Sequence, residues 1–212
     1  MRLRFLGHAA FDLELGGVRL CLDPHKPGAL GGRFRLPAIA GPFDALVHTH
    51  SHEDHCAWAP AFGTTTVLDR PQVFRGLAVD TRAAFHDAEG GARMGLVRMV
   101  SLVGEGLRVV HCGDLGAWDE DDVAWLRGTD VFLVPAGGTY TLDGAQAAQL
   151  AEVVGARLTV PMHCADARVD LRLDALDGFT RAWRGALWSG DICRGEDLAT
   201  ISGPTAWIPP PP

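Results

Sequence analysis

The stretch Val47-His48-Thr49-His50-Ser51-His52-Glu53-Asp54-His55 constrains this chain more tightly than any other, because it gathers metal-ligating side chains at the end of an apolar run. Residues 43–47 read as a short buried strand, and a helix can begin at residues 56–60. The end of a strand is where an open sheet carries its chemistry. Imidazoles and carboxylates without a set of thiolates suit zinc, iron or manganese in a catalytic site better than a structural zinc. The alternative is a solvated histidine-rich turn. The spacing of the tract, its apolar flanks and the isolated histidines downstream count against it.

A chain of 212 residues can bury one substantial core and is short for two. The expectation is a single domain over 1–212, with the prolines at 209–212 as a loose, extended end. A formal charge of −7 argues against a sequence-blind nucleic-acid binder, which needs a basic surface. The cysteines Cys21, Cys56, Cys112, Cys164 and Cys193 are odd in number and irregular in spacing, unlike a disulfide framework, so a reducing cytoplasm is expected. No signal core and no long apolar span is present, so neither secretion by that route nor a membrane partner is expected.

Residues 2–6, 10–15 and 18–22 read as strands, with turns at Gly7-His8 and Gly16-Gly17. Residues 25–41 read as a long loop of the kind that can act as a lid, its Arg33 and Arg35 solvated. Residues 64–68 look like a strand, and 70–77 like a short helix opened by Pro71 and closed by Gly76. Residues 95–103 and 107–110 read as paired strands, 119–126 and 144–154 as helices, and 131–134 and 158–160 as buried strands. Residues 178–208 supply a closing helix and strand, with Trp125, Trp183, Trp188 and Trp207 as core. Strands alternating with helices give an α/β class.

Thr49-His50-Ser51-His52-Glu53-Asp54-His55 resembles the T-H-x-H-x-D-H signature of the metallo-β-lactamase fold. Downstream, His86 (in His86-Asp87-Ala88-Glu89-Gly90-Gly91), Asp114 and His163 resemble the remaining ligands in order. Phe5-Leu6-Gly7-His8-Ala9, Leu22-Asp23-Pro24 and residues 135–143 are similar to the branch of small hydrolases that includes the ascorbate-6-phosphate lactonases. The resemblance implies a four-layer αβ/βα sandwich. It also implies two divalent metal ions, with zinc expected first and manganese or iron as alternatives. His50, His52 and His86 would hold one ion, Asp54, His55 and His163 the other, and Asp114 would bridge them, leaving room for a bridging water or hydroxide. Asp54 and Asp114 are thereby the catalytic carboxylates, and Asp23 supports the ligands from behind.

Other residues keep two readings. His111 competes with His86 for the third imidazole position; the His-Asp-x-x-Gly-Gly context favours His86. His8 is a candidate for substrate contact or proton transfer, and Tyr140 for a hydrogen bond to a developing oxyanion. His48 reads as a hydrogen-bonded core histidine, and His25 as a surface histidine with the pocket mouth as its alternative. Cys56, Cys112 and Cys164 lie within two residues of expected ligands and read as small hydrophobes. The function expected is hydrolysis of a small-molecule lactone, ester or phosphoester by a metal-bridging hydroxide. A phosphodiesterase or nuclease of the same fold and an iron-dependent oxidoreductase are the alternatives. A homo-oligomer is compatible with the sequence.

Overall fold

The computed structural model describes residues 1–212. Two sheets face each other. The smaller is built from β1 (Arg2–Gly7), β2 (Ala10–Leu15), β3 (Val18–Leu22), β4 (Ala45–Val47) and β12 (Ile192–Arg194), in the order β12-β1-β2-β3-β4. The larger contains β5 (Gln72–Phe74), β6 (Leu77–Phe85), β7 (Leu96–Gly104), β8 (Leu107–His111), β9 (Val131–Pro135), β10 (Leu158–Met162), β11 (Ala186–Trp188) and β13 (Thr205–Trp207). Its order is β11-β13-β10-β9-β8-β7-β6-β5. The closing segment, expected as one helix and one strand, thus supplies edge strands to both sheets.

Side-chain alternation along the strands builds two cores at once. On β9, Val131 and Leu133 face the smaller sheet, where they join Phe11, Leu13, Leu20 and Val47. Phe132 and Val134 face outward, onto helices α2 (Glu120–Leu126), α3 (Gly144–Val154) and α4 (Asp177–Ala182). Both α2 and α3 start from an aspartate, Asp119 or Asp143, whose carboxylate accepts from a backbone amide in the first turn. Truncating a fully buried side chain such as Leu133 to alanine costs ~2–5 kcal/mol.

The outer face of the smaller sheet is covered differently. Ala10, Cys21 and Leu46 lie under Ile39, Phe43 and Phe62, from an irregular segment and a 3₁₀ turn at Pro60–Phe62. The expected two-sheet sandwich is present, with α2, α3 and α4 over the larger sheet. No helix is long and apolar enough to cross a membrane.

Several local expectations are corrected. Residues 70–77 form a hairpin, not a helix: β5 and β6 pair antiparallel with Phe74 opposite Leu77. Between them Arg75 (φ 48°) and Gly76 (φ 84°) make a two-residue turn with both φ values positive, the geometry that matches strand twist. Gly76 therefore marks a turn where the sequence suggested a helix end. Residues 64–68 make only an isolated bridge, Leu46 with Val67. The segment 25–41 contains one short turn, α1 (Ala29–Gly32), in which Leu30 and Gly31 are left-handed. It is fastened to residues 168–170 by Arg35 N–H donating to Arg168 O (2.8 Å) and a Phe34–Val169 bridge. Phe34, Leu36, Ala29 and Val169 form a small core there. His25 is consequently buried beneath the segment, its Nε2 3.2 Å from Pro37 O, and not on the surface. The proline end expected to be loose meets Arg168, whose Nη1 donates to Pro212 O.

Candidate metal centre

Six strands deliver the site, each just past its C-terminal end. In the smaller sheet, β1 leads to His8, β3 to Asp23 and β4 to the histidine tract. In the larger sheet, β6 leads to His86, β8 to Asp114 and β10 to His163. Within each sheet these strands run the same way, so their ends share one rim. Gly113 allows the chain leaving β8 to pass close behind the histidine tract. A side chain there would come within 2.5 Å of Val97 Cγ2 and 2.7 Å of Thr49, and its φ is +55°.

Two four-residue groups of ligand atoms result, His50–His52–His86–Asp114 and His8–Asp54–His55–His163, each with its atoms within 4.8 Å of one another, and a smaller group, Asp23–His50–His55, lies behind them. In the first, His52 Nδ1 lies 2.9 Å from His50 Nε2 and 3.2 Å from His86 Nε2. In the second, Asp54 Oδ2 lies 3.1 Å from His8 Nε2 and 3.5 Å from His55 Nε2. Asp114 stands between them. Its Oδ2 is 3.3 Å from His86 Nε2, 3.8 Å from His50 Nε2, and 3.2 Å from both His55 Nε2 and His163 Nε2.

These separations fit a cation. Two nitrogens on one tetrahedral zinc, each at ~2.0–2.1 Å, stand roughly 3.3 Å apart. Facing imidazole nitrogens cannot both act as acceptors without a proton or cation between them. His55 Nε2 and Asp114 Oδ1 are also buried without a hydrogen-bond partner, a cost that ligation removes. The donors are imidazole and carboxylate, which suits zinc, manganese or iron.

Behind the ligands is a layer of hydrogen bonds. Asp23 accepts from Thr49 N–H (2.8 Å) and Thr49 Oγ1–H (2.6 Å), and its Oδ2 is 2.9 Å from His55 Nδ1. That contact fixes the His55 ring with Nε2 directed into the site. His86 Nδ1 lies 3.0 Å from Tyr140 O, so Tyr140 meets this ligand through its carbonyl. Sequence reasoning missed Asp87. Its carboxylate accepts from the backbone amides of Glu89, Gly91, Arg93 and Met94 (2.7–2.9 Å), winding the segment that carries Met94 towards the site. The one signal for it was an aspartate placed directly between a ligand and a glycine-rich run.

Electrostatics divides the cluster. Burial, with neighbouring His163, pushes His8 down to about 3. Burial, with His55 beside it, pushes His50 to about 3 as well. Burial opposes charge on His55 too, but the Asp114 and Asp54 carboxylates outweigh it and raise His55 well above its ordinary value. For Asp23 burial acts upward, and the His111 and His55 imidazoles overcome it to hold the carboxyl at about 2.

His111 is brought near but not in. Its Nε2 is 2.9 Å from Ala9 O and its Nδ1 accepts from Gly113 N–H at 2.9 Å, so both ring nitrogens are engaged by backbone. His48, which directly follows β4, is half-buried and joins neither ligand group. Its Nε2 is unpaired, where a hydrogen-bonded histidine was expected. His8 is 2% exposed and lies beneath Asp54 and His163, so it does not reach the cavity lining. Cys112 is buried in the helix-facing core. Burial pushes the Cys164 thiol up to about 12, and its Sγ donates to Met162 O. None of the thiols joins the ligand groups.

Above the cluster is a cavity of about 370 Å³. His52, His86, Asp54, Asp114 and His163 form its floor, while Leu30, Met94, Tyr140 and Leu171 contribute to its walls.

A fold of two facing sheets with a histidine–aspartate cluster on their shared rim defines a class, and sequence comparison agrees with it. Residues 2–163 match the beta-lactamase superfamily domain, and the chain belongs to the metallo-β-lactamase superfamily. Among its relatives is a UPF0173 metal-dependent hydrolase of Thermofilum pendens, 30% identical over 192 residues, covering 76% of this chain and 82% of that one. A protein of the same name from Nitratidesulfovibrio vulgaris is 27% identical, with 76% and 79% covered. A metallo-β-lactamase superfamily structure from Thermotoga maritima superposes with a TM-score of 0.74 at 24% identity, over 99% of both chains. Igni18, a metallo hydrolase from Ignicoccus hospitalis, gives 0.64 at 20% identity, over 100% of this chain and 96% of that one.

Proposed function

We propose that this metal-dependent hydrolase holds two divalent cations and cleaves a small-molecule lactone, ester or phosphoester. The observation that carries the reading is Asp114 Oδ2, within 3.8 Å of four imidazole nitrogens drawn from both ligand groups. His50, His52 and His86 would hold one cation, Asp54, His55 and His163 the other, and Asp114 both. When bound, such a pair supplies hydroxide near neutral pH and polarises the substrate's carbonyl or phosphoryl oxygen.

The protein's own groups do the rest. Asp23 keeps His55 in the tautomer that presents Nε2, and the Tyr140 carbonyl does the same for His86. His8, hydrogen-bonded to Asp54 Oδ2, fixes the carboxylate's orientation. The buried floor and apolar walls limit water around the reacting centre, which strengthens electrostatic interactions there.

The test is metal content by plasma mass spectrometry on protein purified without added metal, alongside hydrolysis assays. The reading expects about two zinc or manganese ions per chain, with turnover lost in His52→Ala while the variant stays folded. Iron as the main metal would redirect the search to redox chemistry. No uptake of any metal, or full activity in His52→Ala, would overturn the assignment.

A further inference from the structure

We infer that the site selects an uncharged substrate with an apolar substituent and rejects one carrying a phosphate remote from the reacting bond. This rests on the hydrolase reading and narrows its substrate class. The walls of the cavity present Leu30, Met94 and Leu171, each from a different segment and each partly buried. The only charged side chain on the wall above the ligands is Glu53, whose Oε2 accepts from Leu30 N–H at 2.9 Å. That bond holds Leu30 in a left-handed conformation (φ 53°, ψ 44°) at the edge of the cavity.

A remote phosphate needs a cationic partner of its own, ordinarily an arginine fork or a lysine. The arginines of the surrounding segments are committed elsewhere or lie outside the lining. Arg35 donates to Ala167 O, Arg93 faces Glu89 at 3.6 Å, and Arg168 is paired with Asp166 at 2.6 Å and with the end of the chain. Arg33, Arg172 and the single lysine of the chain, Lys26, are exposed and do not line the cavity, Lys26 lying on the far side of Glu53 in a neighbouring pocket. A phosphate leaving the floor would therefore meet leucines, a methionine and a carboxylate, which costs desolvation without a compensating ion pair. An alkyl group meets the same walls favourably. The cavity is at the small end of ligand sites, which suits a compact substrate. In this respect the chain departs from the phosphorylated-lactone hydrolases that its ligand motif resembles.

The experiment keeps the reacting bond constant and varies only the remote group. Metal-loaded full-length protein is assayed with three γ-lactones bearing a butyl, a hydroxymethyl or a phosphoryloxymethyl substituent, together with p-nitrophenyl butyrate and bis-p-nitrophenyl phosphate. The expected result is a kcat/KM for the butyl lactone at least about tenfold above that of the phosphorylated one, matching ~1.4 kcal/mol of discrimination, with the hydroxymethyl compound between them. Leu171→Arg, which places a cation on the wall without touching the ligands, is expected to narrow that ratio by lowering KM for the phosphorylated lactone. Equal or better turnover of the phosphorylated lactone, or of the phosphodiester alone, would overturn this inference and leave the hydrolase reading standing. No turnover of any of the five compounds would overturn both.

Discussion

The two halves of the ligand cluster are built to different standards. The half made by Asp54, His55 and His163 is buried, and its central imidazole is anchored by Asp23, itself held by two bonds from Thr49. The half made by His50, His52 and His86 holds the most accessible ligand, although each half lends two side chains to the cavity floor. That ligand, His52, is only partly buried, and His86 is steadied by one carbonyl. The difference predicts firmer retention of a cation in the inner half, where Asp23 backs His55, and readier exchange in the outer half, which contains the partly buried His52.

The largest test removes what the halves share. Asp114→Ala should reduce hydrolysis to background and lower metal content at both positions, read by mass spectrometry with circular dichroism to show that the fold persists. Retention of two ions would show that the halves are independent. Next, Asp23→Asn should weaken the inner position by ~10–100-fold, the usual cost of losing a carboxylate behind a ligating histidine. Competitive chelator titration should show one step moving and the other staying; movement of both would erase the contrast.

A pH experiment sharpens it further. Without a cation, burial opposes charge on His55 but the neighbouring carboxylates outweigh it and favour the protonated ring, which competes with a cation entering the inner half. Inner affinity should therefore rise with pH and fall as pH drops. His50, held down at about 3, is already neutral across the same range and contributes no such slope. Calorimetry in buffers of different ionisation enthalpy should register proton release for the inner ion. The smallest effect concerns His111. Replacing it with alanine leaves Gly113 N–H and Ala9 O without their partner, at ~1–3 kcal/mol in denaturant melts, with metal content unchanged. A loss of metal comparable to that in His86→Ala would return His111 to the ligand set.

Legibility in the sequence followed the range of the interactions. The histidine tract and the strands leading to His86, Asp114 and His163 were visible because their signals are local: apolar runs ending in ligand residues. The Asp119 and Asp143 helix starts were visible for the same reason. The hairpin at 72–79 was hidden because Pro71 and Gly76 mimic helix boundaries, and only pairing with β7 settles the choice. His25 was misplaced because its neighbour Phe34 is held in place by a bridge to Val169, more than a hundred residues distant. The ambiguity between His86 and His111 was beyond local signals too. Each ends or follows an apolar strand, and what separates them is where the ring nitrogens go: to Tyr140 O and the cluster for His86, to Ala9 O and Gly113 N for His111. The Asp87 wrap has no periodicity at all, since one carboxylate gathers amides from an irregular loop.

The arrangement of strand ends has a thermodynamic consequence. Three of them belong to the smaller sheet and three to the larger, so an ion ligated between them is a rivet through both layers. The intact sandwich can offer that full set of donors, and an unfolded chain cannot. Stability then becomes a function of supply: free metal at a hundred times its dissociation constant adds ~2.7 kcal/mol to the folded state. The melting temperature of this protein should follow the metal activity of its surroundings, falling in a chelator and climbing again on repletion, so that the sandwich itself reports on the ion it needs.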